Sequence, residues 1–242
     1  MRYKATIAYN GTNFAGWQIQ KNATTIQEAI QKSMTELFKQ DVSIIASGRT
    51  DAGVHALGQV IHFDLDTKIQ PEKIPYILNA NIDKDIQMLD CCEVKEDFHA
   101  RYSAKEKTYE YKMYVSRVPI PIFDTYAWRL VEYPNVGKMK EGMKYLEGEH
   151  DFRSFMASGS SVENTVRRIF SCELIQDREL KFIIKGNGFL YNMVRTIVGT
   201  LVDIGYGKHE PTYIKEIIEK KDRTLAGKTA PAKGLCLIEV QY

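Results

Sequence analysis

Side chains from Arg2 to Tyr9 alternate in character and are rich in Tyr, Ile and Thr, which predicts a strand closed by the turn signal Asn10-Gly11. Over residues 25–39 the period changes. Ile26, Ala29, Ile30, Met34, Leu37 and Phe38 recur at helical spacing, and Thr24 or Thr25 is placed to cap the helix with Gln27 or Glu28 in the capping-box position. The apolar face of that helix is expected to lie on a sheet. Residues 42–46 and 59–65 predict two more strands, separated by a loop holding Gly48, Gly53 and Gly58. The first hundred residues therefore read β-α-β-β, the start of a ferredoxin-like α+β unit.

The order then repeats. Residues 108–115 alternate again, residues 136–146 are helical in pattern, and residues 169–175 and 180–185 predict a hairpin around Gln176-Asp177-Arg178-Glu179. Gly186-Asn187-Gly188 leads into a helix with Leu190, Met193, Val194, Ile197, Val198, Leu201 and Val202 on one stripe, and a short helix (Tyr213–Lys220) and a strand (235–240) follow. Two halves of like element order are expected, 1–104 and 105–242, packed side by side with a cleft between them.

Composition narrows the classes. The 242 residues suffice for a sizeable core, and 33 basic against 31 acidic residues leave a net charge of +2, which excludes a bulk polycation but not a local phosphate-binding patch. Five basic residues (Lys220, Lys221, Arg223, Lys228, Lys233) cluster against Asp222, and five more (Arg101, Lys105, Lys107, Lys112, Arg117) against Glu106 and Glu110. Cys91, Cys92, Cys172 and Cys236 form no CxxC pair, so reduced thiols are expected. The N-terminus lacks the apolar run of a signal peptide, and the greasiest segment, 189–204, is interrupted by Asn192, Arg195 and Asp203; a soluble, cytoplasmic protein is expected.

Most motif-like stretches dissolve on inspection. Gly227-Lys228-Thr229 matches the end of a P-loop, but Asp222 stands where the first glycine is required, and Gly186 and Gly188 lack the third glycine of a dinucleotide fingerprint. His55 lies near Asp51, Asp64 and Asp66 without any metal-ligand spacing, and no metal site is expected. The stretch Gly48-Arg49-Thr50-Asp51-Ala52-Gly53-Val54-His55-Ala56 is different. It falls between two strands, and its glycines permit a tight path that projects Arg49, Asp51 and His55 in different directions. Taken alone, Asp51 suits two roles: a loop cap accepting backbone N–H bonds, or a functional carboxylate.

Those nine residues resemble the active-site motif of the TruA-type family of tRNA pseudouridine synthases, Gly-Arg-Thr-Asp-x-Gly-Val-His-Ala, at every position. The resemblance extends to Tyr9-Asn10-Gly11-Thr12 with Phe14, Gly16-Trp17-Gln18 and Gln20, to Lys107-Thr108-Tyr109-Glu110-Tyr111, to Phe189-Leu190-Tyr191-Asn192-Met193-Val194-Arg195 and to Ala230-Pro231-Ala232-Lys233-Gly234-Leu235. It implies a pseudouridine synthase fold built of two ferredoxin-like or RRM-like halves. It further implies isomerisation of uridine to pseudouridine in the anticodon stem-loop of tRNA, at positions 38, 39 and 40, by a homodimer that uses neither metal nor cofactor.

By the same resemblance Asp51 is the nucleophile, Arg195 is its ion-pair partner, and Tyr109 lies against the uracil, where its ring can stack and its hydroxyl can assist loss of the C5 proton. Arg49 is expected to assist extrusion of the nucleotide, which costs a few kcal/mol. Two other classes compete. One is a non-catalytic tRNA-binding or tRNA-folding protein on the same scaffold; the other is a metal-dependent nuclease or phosphatase using Asp51, His55 and Asp64.

Overall fold

The alternation at the N-terminus becomes strand β1 (Arg2–Tyr9), with Tyr3, Ala5, Ile7 and Tyr9 all buried. In the computed structural model, which describes residues 1–159 and 162–242, helix α1 (Ile26–Phe38) buries Ile26, Ile30 and Met34. The Thr25 side chain caps it by accepting the Glu28 amide at 3.3 Å, as the capping pattern requires. Strands β2 (Ile44–Ala46) and β3 (His55–Asp64) follow, then helix α2 (Ile74–Asn79) and strand β4 (Ile86–Val94).

All pairings among these four strands are antiparallel. β1 lies between β4 and β3, and β2 pairs with β3, the strand order of a complete β-α-β-β-α-β ferredoxin-like unit. α2 and β4 go beyond the β-α-β-β expectation. β3 also starts four residues earlier than the expected 59. Gly58 does not end the strand: it sits in a bulge, where the register slips between Ile7↔Gln59 and Tyr9↔Ala56.

Residues 106–235 form a second unit. Its elements are β5 (Glu106–Val115), α3 (Pro121–Asp124), β6 (Trp128–Leu130), α4 (Val136–Met143), β7 (Gly148–Asp151), β8 (Val166–Gln176), β9 (Leu180–Gly186), α5 (Met193–Gly205) and α6 (Tyr213–Lys220). β5 pairs with β9, β9 with β8 and β8 with β7, all antiparallel, while β6 adds to β5 in parallel. The series β5-α4-β8-β9-α5 repeats the element order of β1-α1-β2-β3-α2. α5 is buried nearly all round, only Arg195 and Asp203 escaping, rather than along one stripe. It is covered by α4 and by residues 227–230, where the Gly227 amide donates to Thr200 Oγ1 at 2.9 Å and the Ala230 amide to the Arg195 carbonyl at 3.1 Å.

The strand near residue 240, expected in the second half, returns to the first. β10 (Leu235–Gln241) pairs in parallel with β3, Cys236 opposite His55 and Leu237 opposite Ala56, so the first unit comprises residues 1–105 and 236–242. The reason is hydrogen bonding. β2 covers β3 only at Ile61 to Phe63, and β10 supplies partners to the end nearest the glycine loop. No helix among the described residues is long and apolar enough to cross a membrane.

Candidate active site

Asp51 sits at the start of a tight turn. The Val54 amide donates to its carbonyl at 3.1 Å, and Gly53 at the third position has φ +77°, the requirement of a type II turn. Asp51 is half-buried and Arg49 is exposed, while Thr50 between them is buried. The chain alternates here: one side chain goes into the protein to hold the loop, and its neighbours on either side stay accessible.

What holds the loop is the N-terminal motif. The Tyr9 hydroxyl and Thr50 Oγ1 are 2.8 Å apart, the Gly11 amide donates to His55 Nδ1 at 3.1 Å, and the Trp17 amide donates to the Thr50 carbonyl at 3.0 Å. Gly16, at φ +89°, passes so close that a Cβ there would stand 2.8 Å from the Thr50 carbonyl oxygen. Burial pushes the Tyr9 phenol up, against the opposing effect of its hydrogen bonds to Thr50 and Gln59, so it remains a neutral hydroxyl. Ser47 Oγ donates to Gln59 Oε1 at 2.7 Å and Gln59 Nε2 donates to the Gly48 carbonyl at 2.9 Å. Gln59 and Tyr9 thus support the loop although the sequence singled out neither for this. In the sequence Gln59 carries no signal beyond being a polar residue at the opening of a predicted strand.

Tyr109 and Arg195 belong to the second unit. Tyr109 is buried on β5 opposite Ile184 and meets the Phe189 ring edge-to-face, centroids 5.2 Å apart at 85°. Arg195, in the first turn of α5, donates from Nε to the Ala230 carbonyl at 2.7 Å and from Nη1 to Asn192 Oδ1 at 2.6 Å. Tyr111 donates to the next carbonyl, that of Pro231, at 2.7 Å. Burial raises the Tyr111 phenol's pKa, with the Arg195 charge acting the other way. Each family-like segment of this unit therefore touches another: 107–111 meets 189–195 through Tyr109 and Phe189, and 230–235 is gripped by Arg195 and Tyr111.

Other sequence signals find structural uses. Asp64 pairs with Arg2 at 2.9 Å on the surface and His55 Nδ1 is engaged by Gly11, so the trio proposed for a metal-dependent nuclease is not assembled. Among the described residues, no three or more His, Cys, Asp or Glu side chains are grouped to hold a metal ion. No disulfide forms among them either, and burial pushes the Cys91 thiol up to about 12. The basic cluster at 220–233 is largely engaged within the unit: Lys220 with Glu216 at 2.7 Å, Lys221 with Asp151 at 3.2 Å, Lys233 with Asp124 at 2.9 Å, and Arg223 with the Ala226 and Gly227 carbonyls. Lys228 is exposed above the Trp128 ring, 5.0 Å from its centroid.

Comparison with known proteins agrees with this arrangement of motifs. The family described as tRNA pseudouridine synthase matches residues 5–103 and 143–242. The tRNA pseudouridine synthase A of Ruminiclostridium cellulolyticum is 46% identical over 243 residues, covering 100% of this chain and 99% of that protein. Its namesake from Thermoanaerobacter sp. (strain X514) is 45% identical, covering 98% of this chain and 97% of the relative. That from Anoxybacillus flavithermus is also 45% identical, over 100% and 98%. With the match extending over most of its length and through both units, this chain belongs to the tRNA pseudouridine synthase family.

Proposed function

We propose that this protein isomerises uridine to pseudouridine in the anticodon stem-loop of tRNA, at positions 38, 39 and 40, with Asp51 as the nucleophile. The observation that carries the reading is the turn itself. A half-buried carboxylate is presented from a loop whose adjoining residues are tied to a buried polar framework, with an exposed arginine two residues before it. A carboxylate in that setting can engage a nucleotide while the N1–C1′ bond breaks, the uracil turns and C5 bonds to C1′. The C5 proton leaves and N1 gains one, so the net composition is unchanged and the reaction as written needs no redox or group-transfer partner.

The remaining roles follow the resemblance. Tyr109 stacks on the uracil and its hydroxyl assists loss of the C5 proton. The Arg195 guanidinium favours the ionised form of Asp51. Arg49 helps extrude the nucleotide, since a base stacked in a stem is out of reach of any side chain. The protein acts in the cytoplasm as a homodimer, two copies joining small basic patches into one tRNA-binding track.

Tritium release from C5-labelled uridine in tRNA tests the reading. Wild-type protein is expected to release tritium and leave the tRNA intact, in the presence of chelator, and Asp51→Asn to release none above background. Undiminished release by Asp51→Asn overturns the assignment. Light scattering of the free protein tests the homodimer.

A further inference from the structure

The face of β1 and β3 that buries Tyr3, Ala5, Ile7 and Tyr9 carries Phe63 opposite Tyr3 and Ile61 opposite Ala5. The next position in this register, opposite Ile7, is Gln59, fully buried. Period-2 alternation asks for an apolar residue there, and one would fill the space without any hydrogen-bonding requirement. A local rule broken inside a strand, one step from a bulge, marks a position under some demand other than stability.

The amide's contacts identify that demand. Oε1 accepts from Ser47 Oγ at 2.7 Å, Nε2 donates to the Gly48 carbonyl at 2.9 Å, and the Tyr9 hydroxyl, which also bonds Gln59, reaches Thr50 Oγ1 at 2.8 Å. Directly or through Tyr9, one side chain therefore fixes residues 47, 48 and 50. It passes over only Arg49, whose side chain is exposed, and the next residue is Asp51. Ser47, Thr50, Tyr9 and Gln59 are all buried, so water does not substitute for any of these partners.

We propose that Gln59 is a positioning residue for Asp51: its amide locks the incoming backbone of the loop so that the carboxylate is held at the reacting nucleotide. The inference rests on the reading of Asp51 as nucleophile. Rate depends steeply on such placement, since a displacement of about 1 Å costs about 10²-fold. Binding of tRNA, spread over many phosphate contacts, does not depend on it.

The test uses full-length protein and C5-tritiated tRNA, measuring single-turnover release, tRNA Kd and the urea unfolding midpoint for wild type, Gln59→Leu, Gln59→Glu and Asp51→Asn. Gln59→Leu is expected to lower the single-turnover rate by about 10- to 100-fold with Kd changed less than about twofold. Gln59→Glu adds a readout that a merely structural role does not give. The protonated carboxyl reproduces one donor and one acceptor, whereas the carboxylate cannot donate to Gly48. Its rate relative to wild type is therefore expected to rise as pH falls, at constant Kd, and this arm suffices if Gln59→Leu fails to fold. Wild-type release by Gln59→Leu, a parallel loss of rate and binding, or a Gln59→Glu profile parallel to wild type overturns the inference. Full release by Asp51→Asn overturns the underlying reading and the inference with it, whereas loss in Asp51→Asn with full release by Gln59→Leu overturns the inference alone.

Discussion

His62 stands on β3 and is buried; its Nδ1 accepts the Ala100 amide at 3.1 Å, and its ring lies 4.8 Å from that of His99. Burial, the neighbouring His99 and Arg2 push its pKa down from 6.5 to about 4, against a smaller opposing effect of Asp64. A histidine so depressed is neutral in both folded and unfolded chains at neutral pH, and its full contribution is present above 6.5. As pH falls below 6.5 the unfolded chain takes up a proton that the folded one refuses, so stability declines until about pH 4, below which both states are charged and the loss stops. The full displacement corresponds to about 3–4 kcal/mol, of which about 3 kcal/mol is lost by pH 4. Urea unfolding from about pH 7 to about pH 4, on wild type and on His62→Gln, isolates it, because acidic groups such as Asp64 titrate in both proteins. Wild type is expected to lose about 3 kcal/mol more than the variant across that window. Parallel stability curves for the two proteins would falsify the reasoning.

The other predictions concern the loop and Arg195. Gly16→Ala forces a side chain into a positive-φ position 2.8 Å from the Thr50 carbonyl oxygen and is expected to destabilise by about 1–3 kcal/mol in urea unfolding, with slower pseudouridine formation. Wild-type stability in that variant contradicts the close packing. Arg195→Lys keeps the charge but loses the two directed bonds to Ala230 and Asn192; a cost of about 1–3 kcal/mol and reduced turnover are expected. Unchanged stability and turnover show that the charge alone suffices there.

The parts legible in the sequence were those with a single unbroken pattern. α1 announced both its stripe and its cap, and the nine residues around Asp51 carried their own identification. β4 was missed because its alternation is broken: the register slips between Thr6↔Asp90 and Ile7↔Met88, leaving Leu89 exposed beside Asp90. β6 and β7, at three and four residues, are too short for a period to show, and only their pairing with β5 and β8 defines them. In the sequence pattern Gln59 only opens a strand, since the bulge that places it under the loop and the partners that need its amide are tertiary facts. The basic cluster at 220–233 looked like a phosphate surface, and the structure pairs much of it internally. The exposed Lys220–Glu216 pair is weak and exchanges readily for phosphate contacts.

The return of β10 to β3 makes the second unit an excursion within the first. On the ribosome, at about 5–20 residues per second, making the intervening residues takes on the order of ten seconds. Throughout that interval the edge of β3 that later receives β10 at His55 and Ala56, directly after the Asp51 turn and opposite the β1 side, lacks its β10 partner. The aspartate loop thus emerges early, while the strand that closes its edge arrives only after the entire second unit has been made. A nascent chain carries Asp51 for seconds without the finished support of its loop. That open edge is also where an arrested or truncated chain is most exposed to pairing with another.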